Sequence, residues 1–342
     1  MEGYTNGFNG YIEVINTKVY RRFLDVLISG NYEKNNGNGR YSAVIRDDHL
    51  IGKVMIKPNR NNHSGDLQEL IDEQVSILSK HGDLATDLLD VITCKWLKDA
   101  KFIDDTVKIT VDDILELRGI NKKLSGTGRR GGYSKHQKLQ VDKIVEILSK
   151  VWISVEAENV YQNINGKRRK ANWKDESFAI HIEERIKEES EDNTYAWLVR
   201  PGSVFTKYLY DSGRETALLS KEALKYNCAK YKWEKRLTRY LSWIWRISKA
   251  RNNKGLLVKT LISSTTLKIN DLRPGRVRSR FEDALNRLKA DGVIKDWKYG
   301  NVELHKDNKR GWFEDWLEAK VIIVPPDEIT QQYETITAKK VK

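Results

Sequence analysis

The sequence predicts an α+β chain: tandem winged-helix domains, each a helix-turn-helix with a β-wing, behind an N-terminal extension. Three observations carry that expectation. The order helix, helix, helix, strand pair occurs twice without shared sequence between the copies. A short helix after Leu272 has two chemically opposite faces. The 342 residues hold 61 Lys and Arg against 48 Asp and Glu, a formal charge of +13, so polyanions are the natural partners.

Along the chain, residues 1–80 read as the extension, with amphipathic YIEVINTKVYRRFLDVLI and a hairpin YSAVIRDDHLIGKVMIKP around Asp47 and Asp48. Residues 81–192 read as the first winged-helix domain. DLATDLLDVITCKWLKDA has a helical period, Thr110 followed by Asp112 and Asp113 is a cap-plus-carboxylate helix start, and a helix after Ser134 places Leu139, Ile144, Ile147, Leu148 and Val151 on a buried side. Two strands joined by NGKRRKANW follow, and their basic tip, Lys167, Arg168, Arg169 and Lys170, suits a wing that grips phosphate.

Residues 193–226 read as a packed linker broken at Arg200-Pro201-Gly202. Residues 227–326 read as the second, DNA-binding winged-helix domain, opening with AKYKWEKRLTRYLSWIWRI. In its later helix, Val277, Phe281, Leu285 and Leu288 face a core, while Arg276, Ser279, Arg280, Asp283 and Arg287 point the other way. Arginine forks onto guanine, serine serves either partner and aspartate accepts from cytosine, so this face offers base readout as well as charge. Arg273, Arg278, Lys268 and Lys298 flank it as further DNA-binding candidates. Pro274 suits the first helical turn and Asp291-Gly292 the exit, VIKDWKYGNVEL starts a wing, and LEAKVIIVPP supplies the return strand. Residues 327–342 are polar and read as a mobile tail.

Two unlike winged-helix modules followed by LSKEALKYNCAKYKWEKRLTRYLSWI resemble the replication initiators of iteron-type plasmids. Leu237, Tyr240 and Leu241 stand where that family carries an Arg-Leu-Tyr-x-Leu-like stretch, and the resemblance spans Asp83 to Pro325. It implies origin binding as a monomer, a homodimer used for self-repression, and contact with host replication proteins. The N-terminal 80 residues and the insertion SGTGRRGGY have no counterpart in the pattern.

Other chemistries find little support. GTGRRG at 126–131 is a literal GxGxxG, but the residues before it read as a capped helix rather than the strand that dinucleotide binding requires. It reads better as a loop bringing Arg129, Arg130, Lys135 and Lys138 to phosphates. No GxxxxGK[ST] occurs, and the six histidines are scattered, so neither nucleotide cofactor nor metal is expected. Cys94 and Cys228 read as buried helical residues, too few for a disulfide framework. No run of about 18 apolar residues appears, so no membrane partner and a cytoplasmic, nucleoid- or plasmid-associated protein are expected. The expected function is a non-enzymatic replication initiator that binds double-stranded origin repeats and promotes local melting. A winged-helix transcriptional repressor is the first alternative. A tyrosine-dependent strand-transfer enzyme is the second, suggested by His181 and Arg185 beside plentiful tyrosines.

Overall fold

The computed structural model describes residues 10–35, 40–47, 50–57, 67–123, 131–164, 167–187, 194–207, 209, 215–248, 255–267, 273–300 and 310–339, apart from the side chains of 157–171, 173, 194–195 and 335–339. The chain mixes helix and sheet, and it divides into two compact units, Glu13–Thr216 and Met1–Ile12 with Ala217–Lys342. In chain order come β1 (Tyr11–Ile15), α1 (Lys18–Ser29), β2 (Glu33–Lys34), β3 (Tyr41–Asp47), β4 (Leu50–Ile56), α2 (Leu67–Asp99), β5 (Val107–Thr110), α3 (Val111–Leu117), α4 (Lys135–Leu148), β6 (Val151–Ile164), β7 (Lys167–Phe178), β8 (Ile180–Lys187), β9 (Thr194–Pro201) and α5 (Ser203–Thr206). Then follow β10 (Thr216–Ser220), α6 (Glu222–Lys225), α7 (Lys232–Ser248), β11 (Leu256–Leu257), α8 (Val258–Ser263), α9 (Pro274–Ala290), β12 (Asp296–Tyr299), α10 (Trp312–Leu317), β13 (Lys320–Val324) and α11 (Asp327–Lys339). A two-stranded sheet pairs β1 with β10.

In the unit Glu13–Thr216, local chemistry sets the helix starts. The Thr110 hydroxyl accepts from the Asp113 amide while the Asp113 carboxylate accepts from the Thr110 amide, and Ser134 with Gln137 repeats that reciprocal cap on α4. Asp113 is thereby a capping residue, and Asp105 likewise accepts from the amides of Lys101 and Phe102 in a turn. α2 bends at His81, and Gly82 beside the bend is required by contact: a Cβ there would stand 2.0 Å from the Leu27 carbonyl oxygen. α2 also buries Asp87 and Asp90: the Arg118 guanidinium donates to Asp87 Oδ2 at 3.2 Å and the Tyr20 hydroxyl to Asp90 Oδ1 at 2.8 Å.

Two sheets share this unit, one ordered β2-β3-β4-β6-β7 and one ordered β5-β9-β8. That arrangement corrects the expected boundaries. β3 and β4 pair with β6, so the segment expected as an extension supplies sheet strands, while the expected boundary at residue 80 falls beside the non-helical break of α2 at His81. β9, expected within a linker, is the central strand of its sheet, because Ala196, Trp197 and Val199 need burial on both faces. The strand pair expected as a wing, β6 and β7, joins the larger sheet instead.

In the other unit, α7, β11, α8, α9, β12 and β13 follow in order, with the three strands ordered β11-β13-β12. The first unit contains the same succession in α2, β5, α3, α4, β8 and β9, with its strands ordered first, third, second in the same way. The two units therefore share this order of elements, with β8 and β9 in the place that the sequence reading gave to β6 and β7. Leu139 corrects another expectation: it is 43% exposed, while Val141, Ile144, Val145, Ile147 and Leu148 form the buried side of α4.

The tail expected to be mobile is α11 up to residue 339. Ile329 and Tyr333, one turn apart, are buried in the core formed by α7, α8 and α9. The Tyr333 hydroxyl accepts from the Leu218 amide at 3.1 Å, and the Arg246 guanidinium sits 5.6 Å from its ring centroid. Reading the polar residues as a tail missed this i, i+4 apolar pair. Ile329→Ala should therefore destabilise the chain by about 2–5 kcal/mol, as for a core truncation. The denaturant midpoint measures this; an unchanged midpoint would mean that α11 does not dock.

Candidate nucleic-acid interface

α9 begins with Pro274 in its first turn, where the missing amide hydrogen costs nothing, and ends before Gly292, whose φ of 70° is the left-handed conformation glycine adopts freely. Between them, Val277, Phe281, Ala284, Leu285 and Leu288 enter a core with Leu237, Tyr240 and Leu241 of α7 and Val258, Leu261 and Ile262 of α8. The opposite face carries Arg276, Ser279, Asp283, Asn286 and Arg287, all exposed. That is the segregation expected from the sequence.

The arginines are not equivalent, which the sequence did not reveal. Arg273 and Arg276 are exposed and form no ion pair among the described residues. Arg278 donates from Nε to Glu282 Oε1 at 2.9 Å, one turn along the helix. Arg280 donates through both terminal nitrogens to Glu234 of α7, at 2.9 and 2.6 Å, and the Glu234 side chain is only 1% exposed. Arg287 lies 3.9 Å from the same carboxylate and 4.6 Å from the Tyr231 ring centroid. Arg280, expected to reach a groove, is thus a structural counter-ion: a carboxylate this deeply buried stays charged only beside a paired cation. These side chains border an open pocket of about 520 Å³ between the start of α7 and the exposed face of α9.

A second network fixes the other flank. The Tyr299 hydroxyl of β12 donates to Glu282 at 2.8 Å and accepts from Trp316 Nε1 of α10 at 2.9 Å. Burial, reinforced by the hydrogen bond to Glu282 and opposed by that from Trp316, pushes the Tyr299 phenol above its ordinary range, so it keeps the proton it donates. Trp297 Nε1 donates to Asn286 at 3.0 Å, and Lys289 pairs with Asp296 at 2.6 Å. The Lys289 ammonium is also the main cause that holds the Asp296 carboxyl below its usual range. Lys298 stands exposed on β12 beside these contacts.

Electrostatics separates the two units. Met1–Ile12 with Ala217–Lys342 holds 28 of the 61 Lys and Arg and 16 of the 48 Asp and Glu, a net +12. The other unit holds the remaining 33 and 32, a net +1. Nearly all the surplus therefore sits in the unit that carries α9.

Lys135 is exposed and Lys138 half-buried in the first turn of α4. Lys167, Arg168, Arg169 and Lys170 lie on β7, their side chains outside the described residues, as are Lys268, Arg129, Arg130 and residues 126–130 of the GxGxxG. The segment before that motif contains helix α3, in keeping with the reading against dinucleotide binding. Among the described residues no group of three or more His, Cys, Asp or Glu could hold a metal, and no helix is long and apolar enough to cross a membrane. Cys94 is half-buried in α2, whereas Cys228 lies in the turn before α7 rather than in a helix. His181 and Arg185 sit on β8, separated as a strand separates them.

Sequence reasoning missed Glu234, Asn286 and the Glu282–Tyr299 link. A faint signal existed: Arg280 and Arg287 are seven residues apart and lean to one side of the helix, which suggests a shared acidic neighbour.

No protein-family profile and no curated protein sequence matches the chain. Among solved structures, the chain is similar to the crystal structure of selenomethionine derivatives of domain 2 and domain 3 of RctB, with 11% identity and a TM-score of 0.47 over 90% of this chain and 97% of that one. It is also similar to RctB domains 2-3, RctB-155-483, with 10% identity and a TM-score of 0.45 over 91% of this chain and 99% of that one. Both scores fall short of the level that establishes a shared fold.

The ion pairs predict opposite outcomes for two neighbouring arginines. Arg280→Ala should cost about 3 kcal/mol of stability, the lower end for a broken buried pair because part of Arg280 faces water. Arg276→Ala should change stability by less than about 0.5 kcal/mol, as an exposed substitution does. Equal unfolding midpoints for the two variants would contradict the assignment of Arg280.

Proposed function

We propose that this protein binds double-stranded DNA sequence-specifically, with α9 entering the major groove and the β12–β13 wing beside it, and that it acts as a replication initiator on origin repeats. The observation that carries the reading is the exposed face of α9: Arg276, Ser279, Asp283 and Asn286 stand on a helix locked to its neighbours, within the unit that holds a net +12. Arginine, serine, aspartate and asparagine cover donor and acceptor patterns of every base pair, which a merely basic surface does not. The helix, strand, helix, helix, strand, strand order of this unit supports reading it as a winged helix, and the same order in Glu13–Thr216 supports a tandem arrangement. The initiator role rests on the sequence resemblance around α7. Contacts with host replication proteins and a dimeric form belong to the same resemblance.

The unequal charge gives the two units unequal parts in this proposal. Phosphate neutralisation supplies most sequence-independent affinity, so the unit with α9 carries it, and the nearly neutral unit contributes shape and partners. Neither nucleotide nor metal enters the proposed binding step.

Binding by Arg276→Ala should fall by about 1–3 kcal/mol on a duplex site selected from a randomised library, and by much less on random duplex. Fluorescence anisotropy at matched salt, without ATP or divalent metal, measures both. Equal loss on the two duplexes would reduce Arg276 to a phosphate contact, and no loss on either would remove α9 from the interface.

A further inference from the structure

Glu234 presents a puzzle of charge. It lies in the basic unit, on the side of α7 that faces the DNA-reading helix, and a buried carboxylate there repels phosphate. Fastening alone does not account for a charge at this position, since well-packed apolar residues of similar size hold two helices together as well as or better than a buried ion pair does. Its specific effect falls on Arg280. That residue is one turn beyond Arg276, rotated about 40° around the helix, so an unpaired guanidinium there would reach the same duplex. Instead both its terminal nitrogens are occupied by Glu234, at 2.9 and 2.6 Å. The same carboxylate and the Tyr231 ring draw in Arg287, at 3.9 and 4.6 Å.

We infer that Glu234 is a specificity-determining residue of this interface, which acts by withholding Arg280 from the DNA backbone. The inference rests on the DNA-binding reading above. A free arginine at that position would add a phosphate contact on every sequence, raising random and selected affinities alike and so eroding the ratio between them. Held on Glu234, Arg280 leaves the readout to Arg276, Ser279, Asp283 and Asn286, whose contacts depend on the base pair. Specificity is gained by suppressing the unselective contact rather than by adding a selective one.

The test uses the full chain and two probes, a short random-sequence duplex and a duplex site selected by the wild type, titrated across salt concentrations. Glu234→Gln should steepen the log affinity against log salt slope on random duplex by about one, and lower the selected-to-random ratio by roughly threefold to tenfold. The double variant Glu234→Gln with Arg280→Gln, a neutral hydrogen-bonding pair, should return the slope to the wild-type value. A purely structural role for Glu234 would leave the slope unmoved in Glu234→Gln and thereby overturn the inference. So would a double variant with a slope shallower than wild type by about one, because Arg280 would then already touch phosphate. If Glu234→Gln fails to fold by circular dichroism, the double variant alone decides by the same criterion. The wild-type arm separates the two ideas: a wild type that binds neither duplex removes the DNA-binding reading itself, whereas normal wild-type binding with either failing slope removes only the role of Glu234.

Discussion

The ion pair between Glu234 and Arg280 is the constraint on which the proposed interface depends. Glu234 sits in α7 with its side chain 1% exposed, and there two nitrogens of one guanidinium meet the two oxygens of its carboxylate. The pair lies on the side of α9 toward α7 and, with the apolar stripe in the core, sets the rotation of the helix about its own axis. With Arg280 turned toward α7, the helix has its apolar stripe in the core and Arg276, Ser279 and Asp283 facing solvent. The flank toward β12 is set independently by the Arg278–Glu282–Tyr299–Trp316 chain and by Asn286 with Trp297. The proposed readout needs its helix held to within a fraction of an ångström, and these contacts hold both sides of α9.

Duplicated topology does not mean duplicated chemistry. Both three-stranded sheets place the first strand beside the third and the third beside the second, and both follow a helix, strand, helix, helix path. What differs is where chain is inserted: β6 and β7 come before the strand pair of one unit, and α10 comes between the strands of the other. Charge differs more, at net +1 against net +12. The segment joining β8 to β9, EESEDN, is acidic, whereas the one after β12 contains Lys306, Lys309 and Arg310. Phosphate is repelled by the like charge of the first segment and attracted by the opposite charge of the three cations in the second.

The sequence displayed strong local signals and concealed non-local ones. The apolar spacing of Val277, Phe281, Leu285 and Leu288 and the capping residues Thr110 and Ser134 identify their helices because those signals act within a turn or two. Partners distant along the chain were not legible. Nothing local distinguishes β6–β7 from β8–β9 as the strand pair of the smaller sheet, since that choice is settled by β4, about a hundred residues upstream, which pairs with β6. The partnering of Arg280 with Glu234 crosses 46 positions, so a polar-face argument assigned Arg280 to the groove. Likewise α11 looked like a tail because its two core residues are outnumbered by polar ones.

The most direct test of the account is a photocrosslink from the exposed face of α9. With Cys94 and Cys228 replaced by serine, Ser279→Cys would carry a photoreactive group, and Val44→Cys, on the exposed side of β3, would serve as the comparison. On the duplex site selected by the protein, the Ser279 position should crosslink to bases within the site, and the Val44 position should give little product. Crosslinking from Val44 with none from Ser279 would contradict the account, because α9 would then lie away from the DNA.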